Sequence, residues 1–198
     1  MATAWDYIAI VIFIVFSAFF SGSEIAYASV NELRLKKAAE AENGNKLAKL
    51  AYSIYSNYDD ALITILIGNN LVNIASSSVA TVIAIDIMGD KGTWVATAIM
   101  TVIILTFGEI VPKIVAVQTA FDFTQIASIP LKVLMIITFP IVWLIQRVLK
   151  ALDKLINKED EEPADAITED DLETIIDTVE DEGVIDEDRA EMLQSALD

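Results

Sequence analysis

From Ala61 to Ile85 the chain carries no charged residue, and that run limits what the protein can become. A helix rises ~1.5 Å per residue, so roughly 25 such residues outreach the ~30 Å hydrocarbon core of a bilayer. A second charge-free run extends from Tyr7 to Ser23 and ends at Glu24, and a third begins at Gly92 and meets its first charge at Glu109. In lipid each backbone N–H and C=O needs a partner from the protein itself, which a helix supplies within one segment. The expected fold is an all-α membrane protein with spans at about 5–29, 61–86 and 92–117.

Charge placement orients these spans. Arg34, Lys36, Lys37, Lys46 and Lys49 lie between the first and second, whereas only Lys91, beside Asp86 and Asp90, lies between the second and third. The positive-inside rule puts the 30–58 connection in the cytoplasm and the N-terminus outside. No basic residue precedes the first apolar run and no small-residue cleavage pattern closes it, so it reads as a span and not as a signal peptide.

Residues 121–157 are also apolar, but their charge-free part is Val133–Gln146, bounded by Lys132 and Arg147. That part rises only ~21 Å, short of the core thickness, and Pro130 and Pro140 are expected to interrupt it. The expectation is an amphipathic juxtamembrane belt along the cytoplasmic interface. The competing fourth span would carry the C-terminal tail outside.

The net charge of −17 comes from that tail. Residues 1–158 hold 12 acidic and 12 basic side chains, while residues 159–198 hold 18 acidic ones and a single basic one, Arg189. A neutral apolar body thus carries an acidic appendage, which disfavours nucleic acid and anionic lipid as partners. Thr168 and Asp171 stand at capping-box spacing, Leu172, Ile175, Ile176 and Val179 form one stripe, and Gly183 is a plausible stop. This predicts a short cytoplasmic acidic helical bundle over 156–198. The chain has no cysteine and no histidine, which removes disulfides, Cys/His zinc sites and imidazole proton transfer, and leaves hard cations on oxygen ligands. With no phosphate loop and no convincing acid/base pair, no enzyme is expected.

Polar side chains at membrane depth usually face the bundle interior or a cavity. Ser17 and Ser21 share a face of the first span, as do Asn69 and Asn73 on the second, extended by Ser76 and Ser77. The third span ends in Gly108-Glu109-Ile110-Val111-Pro112-Lys113. Pro112 has no N–H, which frees the carbonyl of Gly108 beside the Glu109 carboxylate. Together these groups form an all-oxygen set suited to Mg²⁺, Na⁺ or Ca²⁺. Plainer roles compete: small polar residues such as Ser17, Ser21 and the run 75–80 also suit close helix packing. Glu109 can also be neutralised by Lys113 at i, i+4.

The stretches FFSGSEIAYAS (19–29), LIGNNLVNIASSS (66–78) and FGEIVPK (107–113) resemble the three signature segments of the CNNM/CorC magnesium transporter family. The resemblance covers about residues 5–155, and the tail resembles that family's acidic helical bundle. It implies a transmembrane domain at 1–155, a bundle at 156–198, and a homodimer in the cell membrane. Each subunit would have three transmembrane helices, an amphipathic belt and a cytoplasmic C-terminus. It also implies Mg²⁺ export coupled to Na⁺ entry through an inward-facing mid-membrane site. Carried onto matching positions, the ligands would be Ser17, Ser21, Asn73, Glu109 and the carbonyls of Gly22 and Gly108, with Asn69 next. Family members continue into a CBS pair that binds ATP, a region absent from this chain, and further sequence is expected beyond Asp198. Two rival functions keep the same polar set: a Na⁺- or Ca²⁺-selective pathway, and a Mg²⁺-binding sensor or scaffold that moves no ion.

Overall fold

A computed structural model describes residues 2–41 and 45–156, together with Arg189 and Met192. The acidic helices expected over 156–198 lie outside the described residues apart from those last two. Among the described residues the chain is helical throughout, with no strand. It divides into two compact units, Met1–Arg147 and Val148–Asp198, and the groups singled out in the spans all lie in the first.

Helix α1, Ala4–Ser29, starts at a reciprocal capping box between Thr3 and Asp6. Two short helices follow, α2 (Glu32–Glu40) and α3 (Lys46–Tyr55). Asn31 and Asn45 cap them, accepting from the backbone N–H groups of Arg34 and Leu47. Their buried faces, through Leu35 and Ala51, pack with Val30 and Ala120.

Helix α4 (Tyr58–Met88) runs antiparallel to α1. At one end the Ala2 N–H donates to Asp86 Oδ2 at 2.7 Å, and at the other Phe20 and Tyr27 pack with Ala61 and Ile65. A 3₁₀ turn at Gly89–Lys91, with Gly89 at φ 65°, reverses the chain. Helix α5 (Gly92–Ile103) then packs back along α4, and passes through a π-helical segment, Ile104–Ile110, into α6 (Val111–Gln118). This third pass is parallel to α1. Ile10 and Ile14 meet Met100 and Ile104 near one end, and Glu24 meets Lys113 near the other.

Among the described residues three helical stretches are long and apolar enough to cross a membrane: Ala4–Ser29, Tyr58–Gln118 and Ala120–Leu152. The second turns back at Gly89 and so supplies two passes. Apolar side chains such as Leu71, Ile74, Val82, Trp94 and Val102 face outward, as expected of helices solvated by lipid. The chain is an all-α membrane protein.

The third stretch corrects one expectation. Pro130 and Pro140 do not interrupt the segment, because α7 is one helix from Ala120 to Ile156 with both prolines inside it. Each proline removes one backbone donor, but side-chain packing holds the helix on either side. Leu131 is fully buried with Phe20, Tyr27 and Ile65, and Thr138 hydrogen-bonds Thr64 at 3.0 Å. The route of α7 is informative. Phe121 lies under the Arg34 guanidinium, the Thr124 carbonyl accepts from Tyr27 Oη at 3.2 Å, and Gln146 donates to Asp60. Between Thr138 and Gln146 α7 advances about 12 Å, while their partners Thr64 and Asp60 are about 6 Å apart along α4. Helix α7 thus contacts Tyr27 of α1 and the Asp60–Thr64 end of α4.

Candidate ion-binding site

The polar groups singled out from sequence meet where α1, α4 and the π-helical segment cross. Ser17 has no solvent exposure, and its Oγ lies 3.1 Å from Asn69 Oδ1 and 3.4 Å from the Gly108 carbonyl. One hydroxyl proton serves both acceptors, so neither oxygen is fully satisfied. Asn73 Nδ2 lies 3.5 Å from both Asn69 Oδ1 and Glu109 Oε1. These long contacts link Ser17, Asn69, Asn73, Gly108 and Glu109 into one oxygen-rich cluster.

The backbone at Gly108 departs from the expected break. Pro112 offers no N–H, and its ring crowds the carbonyl four residues back. The chain stays helical and widens instead: Ile104–Ile110 is π-helical, and the Val111 N–H bonds to the Thr106 carbonyl five residues back. The Gly108 carbonyl turns to the Ser17 hydroxyl as its partner. Glycine is needed at this point, since a Cβ on residue 108 would lie 2.6 Å from Ser17 Oγ.

Among the described residues three buried side-chain oxygens have no hydrogen-bond partner: Ser21 Oγ, Asn73 Oδ1 and Ser76 Oγ. Each unsatisfied buried group costs roughly 1–3 kcal/mol, which a bound cation can offset. Ser21 stands one helical turn from Ser17 and is likewise fully buried. Among the described residues no group of three or more His, Cys, Asp or Glu side chains exists. A cation here would be held by Glu109 and neutral oxygens. Carboxylate, hydroxyl, amide and carbonyl oxygens form a donor set for a hard cation and a poor one for soft metals.

Other candidates sit differently. Gly22 is buried against the ring of Phe123, where a Cβ would come within 2.7 Å, and no hydrogen bond here joins it to the cluster. Asn70 turns away from the site and donates to the Leu66 carbonyl at 2.8 Å. Lys113 does not neutralise Glu109; its Nζ lies 3.1 Å from Glu24 on α1. Sequence spacing alone cannot find that partner, because it lies on another helix. The Lys113 and Glu24 side chains are 37% and 25% exposed, so the pair adds little. Lys113→Met is expected to cost less than ~1 kcal/mol, and less still in high salt. Denaturation in detergent at two ionic strengths checks this; a loss of several kcal/mol would make the pair a structural anchor.

The chain matches the family model described as Cyclin M transmembrane N-terminal domain over residues 8–189. It is 38% identical over 192 residues to a UPF0053 protein of Haemophilus influenzae, covering 97% of this chain and 45% of that protein. It is 33% identical over 183 residues to the UPF0053 inner membrane protein YfjD of Escherichia coli, covering 92% of this chain and 42% of that one. A chloroplastic DUF21 domain-containing protein of Arabidopsis thaliana matches at 33% over 183 residues, 92% of this chain and 27% of its own length. The chain thus spans less than half the length of these curated relatives. A family match over most of the chain, carried on a helical core that brings the three polar motifs together, means that the chain belongs to the Cyclin M transmembrane N-terminal domain family.

Proposed function

We propose that this chain is the membrane domain of a magnesium transporter, and that it moves Mg²⁺ out of the cell in exchange for Na⁺. The observation that carries this reading is the partly buried oxygen cluster at the π-helical segment, in which Asn73 Oδ1 has no hydrogen-bond partner. Glu109 supplies the charge and lies 3.5 Å from Asn73, which leads on through Asn69 and Ser17 to the Gly108 carbonyl in contacts of 3.1–3.5 Å. Mg²⁺ dehydrates reluctantly and favours near-octahedral oxygen ligation, so part of its water shell stays with it. Alternating access then needs α1 and the π-helical pass to shift against α4, which breaks only long, weak hydrogen bonds in the cluster.

In this reading the N-terminus lies outside, the lysine-rich α2–α3 connection lies in the cytoplasm, and α7 is the juxtamembrane belt. The contacts of Thr138 and Gln146 with Thr64 and Asp60, at the end of α4 that adjoins the lysine-rich connection, support the belt. The chain acts as a homodimer and as a carrier, not an enzyme, and ATP would act only through a CBS region elsewhere in a longer protein.

One observation favours a second reading. A single carboxylate among neutral oxygens also suits Na⁺, which needs less charge compensation than a divalent ion. Reconstituted protein separates the two. Purified chain in liposomes should move Mg²⁺ only when a Na⁺ gradient is imposed, and Na⁺ should compete weakly for Mg²⁺ binding. Na⁺ flux with no Mg²⁺ movement would overturn the magnesium reading, and Mg²⁺ binding with no flux would make the chain a sensor.

A further inference from the structure

Ser76 on α4 is 1% exposed, and its hydroxyl has no hydrogen-bond partner. A hydroxyl on an apolar helix normally donates to the carbonyl of the preceding turn. Five neighbours on these same helices do so: Ser23, Ser78, Thr81, Thr97 and Thr101, each at 2.7–2.9 Å from the carbonyl four residues back. Ser76 departs from that pattern although it is buried.

Its place on the helix suggests why. Ser76 follows Asn73 by three residues and Asn69 by seven, so the three share a face. The next residue on that face is Ala80, buried against Met100 and Ile104 with Ile10 and Ile14 alongside. Ser76 thus stands between the oxygen cluster and an apolar plug, on the side of the cluster toward Asp86. Asn73 Oδ1, on the adjacent turn, is also buried and unpartnered. Side chains three residues apart have Cβ atoms ~5–6 Å from each other, close enough for both oxygens to reach one small cation.

We propose that Ser76 Oγ is a further cation ligand, which with Asn73 Oδ1 receives the ion as it leaves Glu109 and Ser17 for the apolar plug. This rests on the transport reading above. The plug then blocks the route until Met100, Ile104, Ile10 and Ile14 separate, and Ser76 is the last oxygen before it.

Thermal unfolding with and without Mg²⁺, together with liposome flux, tests this on wild type, Ser76→Ala and Ser76→Cys. Ser76→Ala removes an unsatisfied group, so its Mg²⁺-free unfolding temperature should stay level or rise. Its Mg²⁺ requirement should rise roughly 10-fold, as when a metal site loses a supporting group, and its flux should fall. The chain has no native cysteine, so Ser76→Cys introduces one thiol. Cd²⁺, which prefers sulfur, should then stabilise the protein at lower concentration than it does wild type. An unchanged Mg²⁺ response in Ser76→Ala, or a loss of Mg²⁺-free stability there, would overturn the proposal and leave Ser76 a packing residue. Should Ser76→Ala fail to fold, the Cd²⁺ arm decides alone, and no Cd²⁺ preference overturns it. Wild type with no Mg²⁺ response at all would remove the ion site as a whole, which distinguishes that failure from the failure of Ser76.

Discussion

Glu109→Gln is expected to abolish Mg²⁺-dependent thermal protection and Na⁺-driven Mg²⁺ flux while leaving the Mg²⁺-free protein as stable as wild type. Glutamine keeps the shape of the side chain and an oxygen that can accept from Asn73 Nδ2, now at 3.5 Å from Glu109 Oε1. Only the charge is lost. Glu109 is the one carboxylate in the cluster, so nothing nearby can replace it. Unit charges 4 Å apart attract by about 4 kcal/mol at an effective dielectric near 20, and a divalent ion feels more. Dehydration of Mg²⁺ offsets part of this, but a net loss of about 2.8 kcal/mol already weakens binding roughly 100-fold. The Mg²⁺-free stability should hold, because Glu109 is only partly buried and glutamine keeps its shape and its contact with Asn73. Calorimetric titration and flux in the same preparation check both halves.

Gly108→Ala should be nearly as damaging, for a steric reason. The new methyl would overlap Ser17 Oγ at 2.6 Å and press on Ser17 Cβ at 3.2 Å. Ser17 is wholly buried on a helix that meets both α4 and the π-helical segment, so it has little room to yield. Overpacking of this kind costs about 1–3 kcal/mol. It also displaces the hydroxyl that links Asn69 to the Gly108 carbonyl. Adding Ser17→Ala to Gly108→Ala removes the closest overlap. The double variant should recover much of the stability and none of the Mg²⁺ response. If Ser17→Ala does not relieve the defect, the damage lies in the π-helical backbone and not in the contact with Ser17.

Much of this could be read from the sequence because the bilayer makes strong demands. Charge-free runs and flanking charges marked α1, α4 and the α5–α6 pass to within a few residues, since a charge inside the hydrocarbon is costly. Helical spacing placed Ser17 with Ser21 and Asn69 with Asn73, and proline chemistry singled out the Gly108 carbonyl. What spacing could not show was whatever depends on a second helix. Lys113 finds Glu24 across the bundle and not Glu109 on its own helix. Gly22, nominated for its carbonyl, is explained at least as well by the Phe123 ring packed on it. Pro112 foretold a disturbed hydrogen-bond ladder but not its form, because a π-helical turn satisfies the backbone without breaking the helix. Pro130 and Pro140 were misleading for a related reason: with packing through Leu131 and Thr138, α7 stays one helix through both. Ser76 was visible as one more serine, and only burial without a partner distinguishes it.

The central claim is that one hard cation binds among these oxygens. Mn²⁺ is a close substitute for Mg²⁺ on oxygen ligands and scatters X-rays anomalously. Crystals of the protein grown with Mn²⁺ should give a single anomalous peak within ligand distance of Glu109, Asn73 and Ser17, and Glu109→Gln crystals should lack it. A peak only at surface carboxylates, with no density among Ser17, Asn73 and Glu109 in wild type, would contradict the account.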